Sequence, residues 1–157
     1  MSVKSLKYIV DTCSFTALQR VYPADIFPGV WALVERLVND GVIGSIEDVF
    51  EEIKLQDDAL SKWALKRKEM FLPLDDKIQN QASVVLESHT NLVDLKKRKS
   101  GADPFIIAAA IVCSSTVVTE EKPSGGPQKV KIPDVCKSYR VPCVTLLDLL
   151  RAEGLRL

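Results

Sequence analysis

The chain has 157 residues, of which 46% are hydrophobic, 27% charged and only 6% aromatic, a length and apolar content that suit one domain with a real core and exclude a wholly disordered polymer. Lys and Arg number 21, and so do Asp and Glu, giving zero formal net charge. That balance excludes a molecule-wide basic field for gripping nucleic acid, so a charged partner must be met by a local patch. The first element in chain order is Lys7-Tyr8-Ile9-Val10, a β-rich run ending at Asp11 and followed by the polar turn Thr12-Cys13-Ser14. A helical pattern covers Phe15 to Arg20. Asp25 is then placed to cap a helix on which Trp31, Val34, Leu37 and Val38 recur, stopping at Asp40-Gly41. Val42-Ile43-Gly44 reads as a brief strand, and Ser45 as the N-cap of a helix through Val49, Phe50 and Ile53.

Gln56 to Lys68 is charged and helical, Phe71-Leu72-Pro73-Leu74 a short extended piece, and Asp75-Asp76 opens a helix carrying Ile78, Ala82, Val85 and Leu86. Thr90 to Ala102 is polar and basic. Asp103-Pro104 starts an apolar helix, Phe105 to Cys113, with proline suited to its first turn. Thr116-Val117-Val118-Thr119 is a strand ending at Glu120-Glu121. After a loop at Pro123 to Pro127 come Val130-Lys131-Ile132, a short helix around Val135, a last strand at Cys143-Val144-Thr145 and a last helix from Leu146 to Ala152. Strands alternate with helices throughout, which predicts a three-layer α/β/α sandwich with a short-stranded, mainly parallel sheet, as one domain over residues 1–157. Cys13, Cys113, Cys136 and Cys143 include no CxxC pair, and with the single His89 they cannot form a usual zinc site. They read as small buried hydrophobes. The first residues carry too short an apolar run for a signal peptide, and Phe105 to Cys113 falls far below the roughly 20 residues of a membrane span. The expectation is a cytoplasmic protein without a membrane partner.

Function in an open parallel sheet gathers beyond the carboxyl ends of its strands. Asp11 ends the first strand, Glu121 follows a later one, Asp103 opens the helix leading into that strand, and Glu51 and Glu52 lie on the helix after Val42-Ile43. Converging carboxylates repel one another, and such a cluster is kept where a cation occupies it. All-oxygen donors favour Mg²⁺ or Mn²⁺, ions that serve phosphoryl chemistry. The plainer reading is that an acid at a helix start is a cap or a dipole partner. Asp11 resists it best, because it ends an apolar strand rather than decorating a surface.

At these residues the chain resembles the PIN domains. Tyr8-Ile9-Val10-Asp11-Thr12 looks like their opening strand and Asp-Thr; Val49-Phe50-Glu51-Glu52-Ile53 is similar to their second acid motif. Ala102-Asp103-Pro104-Phe105, running on into Ile106 to Ala110, resembles the third motif, and Val117-Val118-Thr119-Glu120-Glu121 the fourth. More narrowly, Phe27-Pro28-Gly29-Val30-Trp31 and Lys131-Ile132-Pro133-Asp134-Val135-Cys136 resemble a PIN-like family long catalogued as a domain of unknown function and related to VapC-type toxins. The resemblance implies a Mg²⁺- or Mn²⁺-dependent endoribonuclease, the toxin of a toxin–antitoxin pair, with an RNA substrate, an antitoxin partner and a homodimeric state. Asp11, Glu52, Asp103 and Glu121 would be the catalytic, metal-holding acids. Glu52 is preferred to Glu51 because it directly precedes Ile53, while Glu120 and Asp134 are alternates for Glu121. Two positions depart from the pattern: Cys13 stands where PIN domains commonly carry Asn or Ser, and Glu121 where they carry Asp. Thr12, Ser14 and Thr119 would orient the carboxylates.

RNA needs basic residues around an acidic pocket. Lys96-Lys97-Arg98-Lys99 is the preferred phosphate-contacting run, with Lys62, Lys66, Arg67 and Lys68 as a second and Lys122 and Lys129 as a lip; basic runs are also commonly plain solvated faces. Trp31 and Trp63 read as packing residues, and Phe15, Leu18 and Trp31 as either core or a dimer or antitoxin face. The rival functions are a metal-dependent nuclease of RNA processing outside toxin–antitoxin biology, and a non-catalytic PIN-like module that binds RNA or protein.

Overall fold

The computed structural model describes residues 6–56, 58–88, 103–123 and 131–156. Five strands form one sheet: β1 (Tyr8–Val10), β2 (Ile43–Ile46), β3 (Phe71–Leu72), β4 (Thr116–Val118) and β5 (Cys143–Val144). Their order is β3-β2-β1-β4-β5 and every pairing is parallel, with Ile9 opposite Gly44 on one side and Val117 on the other. The α/β/α fold expected from the strand–helix alternation is the fold the protein has. The chain winds outward from β1 in one direction to β2 and β3, then returns to β4 and β5 on its other side. The switch point of the sheet therefore lies between β1 and β4, whose outgoing connections leave in opposite directions, the place where open parallel sheets form their crevice.

The helices are α1 (Thr12–Val21), α2 (Pro28–Asn39), α3 (Glu47–Lys54), α4 (Ala59–Leu65), α5 (Asp76–Ser88), α6 (Asp103–Cys113), α7 (Ile132–Ser138) and α8 (Leu146–Ala152). Right-handed crossovers send α1 to α4 to one face of the sheet and α5 to α7 to the other; α8 joins the first layer by packing on α1. Helix α6 is apolar all round, and Ile106 to Ala110 are fully buried; its run of alanines lets it lie against β1, β2 and β4. Ile9, Val117 and Val118 have no exposure, as strands covered on both faces require.

Two expected caps are not caps. Asp25 is exposed, and α2 starts at Pro28 after Phe27 with no side-chain cap. Proline at the first helical position needs no N–H partner, and the Phe27 ring sits edge-on to Tyr22 with centroids 5.5 Å apart, which fixes the entry of the chain. Ser45 stays in β2, fully buried, and its hydroxyl donates to the Val10 carbonyl at 2.5 Å. Glu47 and Asp48 in the first turn of α3 supply the favourable charge there instead. Phe15 and Leu18 are core rather than a partner face, each 2% exposed. Trp31 and Trp63 pack edge-on at 5.5 Å, confirming their structural role. His89 lies outside the described residues. Among the described residues no helix is long and apolar enough to cross a membrane.

Candidate metal centre

Asp11 follows a strand with no polar side chain free of the core, so its carboxyl begins life inside the molecule. Its backbone N–H donates to the Val118 carbonyl at 3.0 Å, which seats it at the mouth between β1 and β4. Its Oδ1 caps α1, accepting from the Cys13 N–H at 2.7 Å and the Ser14 N–H at 3.3 Å. The plain cap reading is thus true, and it is incomplete. The Thr119 hydroxyl, from the end of β4, donates to Oδ2 at 2.8 Å. The residue is only 5% exposed, and desolvation pushes its carboxyl above the usual carboxylate range despite the N–H and hydroxyl donors that oppose the shift. Among the described residues it takes part in no ion pair.

Thr119 is the hub. Its hydroxyl oxygen also accepts from the Glu121 N–H at 3.1 Å and lies 3.5 Å from the Cys13 sulfur. Glu121 is half-buried and directed toward α7, where its Oε1 accepts from the Ile132 N–H at 3.3 Å. Burial raises its pKa; the Ile132 N–H and Lys131 work against that, while the charges of Asp11 and Asp134 add to it. The two alternates have other duties. Glu120 is exposed and accepts from the Leu146 N–H at 2.8 Å, capping α8 from outside, and Asp134 accepts from the Lys131 N–H at 2.9 Å at the start of α7.

On the opposite flank, the Thr12 hydroxyl donates to Glu52 at 2.5 Å. Helix α3 buries Val49 and Ile53, which puts Glu52 beside the α1 N-terminus and Glu51 in solvent, 3.4 Å from Lys54. Glu52 is therefore the α3 acid brought to this edge. The first residue of α6 is Asp103; its side chain lies outside what is described. Of the residues expected to orient the acids, Thr12 and Thr119 do so through their hydroxyls. Ser14 does so only through its N–H: its hydroxyl is fully buried and has no partner among the described residues. Lys96, Lys97, Arg98, Lys99 and Lys129 lie outside the described residues. Within the second basic run, Arg67 is taken up by packing, with its guanidinium 2.5 Å from Glu35 and 4.6 Å from the Trp63 ring centre.

Sequence reasoning missed that the Cys13 thiol sits against Thr119 and the backbone of Glu120. The Cys13 thiol accepts from the Glu120 N–H at 3.3 Å, and its pKa is pushed up to about 12, by burial first and the Asp11 charge second.

Oxygen donors from Asp11, Glu52 and Glu121, on a buried edge with an unneutralised carboxylate and an orphan hydroxyl, suit a hard divalent cation rather than zinc. Asp11 retains acceptor capacity after its three hydrogen bonds. Among the described residues no three of His, Cys, Asp or Glu already stand in a ligating group, so side chains must turn inward for three protein ligands. No curated protein matches the chain. Residues 8–157 match the model of the family described as domain of unknown function DUF4411, and that span shows that the chain belongs to this family.

Proposed function

We propose that the protein is a Mg²⁺- or Mn²⁺-dependent endoribonuclease of PIN type, cutting RNA phosphodiester bonds at the crevice between β1 and β4 and acting as the toxin of a toxin–antitoxin pair. The observation that carries the reading is the buried Asp11 carboxyl at the switch point, outside any ion pair among the described residues, with Glu52 and Glu121 on its two flanks. An unneutralised buried carboxylate is costly unless a cation or a proton joins it. Asp11, Glu52, Asp103 and Glu121 are the residues that would hold the cation. The chemistry it supplies when bound is water activation and neutralisation of charge developing on the phosphate. The protein's own part is orientation. Two N–H groups and the Thr119 hydroxyl fix the Asp11 carboxyl, the Thr12 hydroxyl holds Glu52, and the Ile132 N–H holds Glu121. No histidine is required, in keeping with a chain that has one. Lys96 to Lys99, preceding α6 closely, are the proposed contacts to the RNA backbone.

A non-catalytic PIN-like module that binds RNA or protein is the second reading, favoured by the absence of a ready three-ligand group among the described residues. Cleavage of a structured RNA panel with Mg²⁺ or Mn²⁺, beside Asp11→Asn and Asp103→Asn, separates the two. Activity lost with EDTA and with both variants supports the nuclease. Activity surviving both variants overturns the carboxylate site, and no cleavage together with no cation binding favours the module.

A further inference from the structure

A cavity of about 390 Å³ opens between the start of α3, the segment after β3, helix α5 and the start of α6. That volume lies in the range of small-molecule sites, roughly 300–1,000 Å³. Its position follows from the sheet. Glu47 is the residue after β2, and Leu74 stands two residues after β3. Helix α6 crosses to the start of β4, which is parallel to β1, so its first turn, with Phe105, also lies at the carboxyl edge. The cavity therefore shares that edge with the acids, yet Asp11, Glu52 and Glu121 do not line it.

The wall is apolar, made by Leu74, Ala82, Leu86 and Phe105, and the rim is polar. Backbone groups fix the rim in place. The Leu74 N–H donates to Glu47 Oε1 at 3.0 Å, and Gln79 Nε2 donates to the Leu74 carbonyl at 2.6 Å. The Ser83 hydroxyl is spent on the Gln79 carbonyl at 3.2 Å. Left for a ligand are Glu47 Oε2 and the Gln79 amide oxygen, two oriented acceptors beside an aromatic side chain. Among the described residues Glu47 takes part in no ion pair. A phosphate is repelled by this carboxylate, and a metal ion finds a single charged oxygen donor among apolar groups. The rim suits a flat molecule with adjacent N–H donors. Among RNA bases, guanine presents them as N1–H and the N2 amine on its Watson–Crick edge. Uracil turns two carbonyl oxygens toward the carboxylate, while adenine and cytosine set one amine beside a ring acceptor.

We propose that this cavity is a guanine-recognising subsite, which places a single-stranded RNA for cutting at the Asp11 edge. The base stacks on Phe105, and Glu47 and Gln79 accept from its N1–H and N2 amine. This assignment rests on the ribonuclease reading.

The test measures fluorescence anisotropy of labelled uridine oligonucleotides carrying one guanosine, inosine or adenosine, with the full chain in EDTA so that binding is read without cutting. Guanosine is expected to bind about tenfold tighter than adenosine, with inosine, which lacks the N2 amine, in between. Glu47→Gln keeps an oxygen for the Leu74 N–H and is expected to erase the guanosine advantage while leaving adenosine affinity unchanged. Equal affinity for all three oligonucleotides overturns the subsite, and this comparison needs no variant. A guanosine advantage that survives in a folded Glu47→Gln overturns its assignment to this cavity. A parent that binds none of them overturns the ribonuclease reading and the subsite with it.

Discussion

Asp11 is the residue on which stability and function pull in opposite directions. Its folded-state pKa is raised by burial, so the folded protein holds a proton there over a pH range in which the unfolded chain has released it. By linkage, the metal-free fold is favoured at this site at low pH and loses stability as pH rises from about 4 through the folded value. Asp11→Asn keeps an oxygen for the Cys13 and Ser14 N–H groups and removes the charge. The variant is therefore expected to exceed the parent in metal-free urea stability at neutral pH, the advantage shrinking toward pH 4. Urea midpoints for both proteins across that range are the check, and a less stable Asn variant at neutral pH would show that the carboxylate is better solvated than its burial implies. Thr119 gives a second test. Thr119→Ala strips a buried carboxylate oxygen of its donor and leaves the Glu121 N–H unpaired, for an expected loss of about 1–3 kcal/mol. Thr119→Ser keeps the hydroxyl and should recover most of that loss, measured by chemical denaturation.

Among the elements, β2 shows how a tertiary neighbour decides what a residue is for. Gly44 sits mid-strand opposite Ile9, and a Cβ there would lie 2.5 Å from Leu6 Cδ1 and 2.9 Å from the Met70 carbonyl oxygen. The leucine tip can rotate away, but the backbone oxygen cannot. Gly44→Ala is expected to destabilise by about 1–3 kcal/mol without altering any candidate ligand, and a thermal melt of the variant reads it. The same logic explains which elements the chain announces. Helix α6 is legible because Phe105 to Cys113 is continuously apolar, and β1 because its three residues are all buried and end in an acid. Ser45 and Asp25 have the chemistry of caps and do not serve as caps. The Val10 carbonyl claims Ser45 from another strand, and Pro28 leaves α2 less in need of one. Glu52 over Glu51 follows from the spacing of Val49 and Ile53, which sets the buried stripe of α3. Glu121 over Glu120 does not, because it depends on where α7 and α8 present their N–H groups.

At the scale of the whole molecule, zero net charge conceals a local concentration of acids, with Asp11, Glu52 and Glu121 at the carboxyl edge of the sheet. The five-strand order makes this edge unique, since β1 and β4 are neighbours whose connections leave in opposite directions. A ligand that binds only the folded edge must stabilise the fold as a whole by mass action. At a hundredfold excess over its dissociation constant, Mn²⁺ or Mg²⁺ is expected to add about 2.7 kcal/mol, which for a domain of this length raises the melting temperature by about 5–10 °C. Sodium chloride at matched ionic strength should produce no comparable rise, because screening acts on exposed charges and Asp11 is buried. Asp11→Asn should melt at one temperature with or without the divalent ion. If the variant responded as fully as the parent, the cation would be held by other acids, and the crevice between β1 and β4 would lose its claim to be the metal centre.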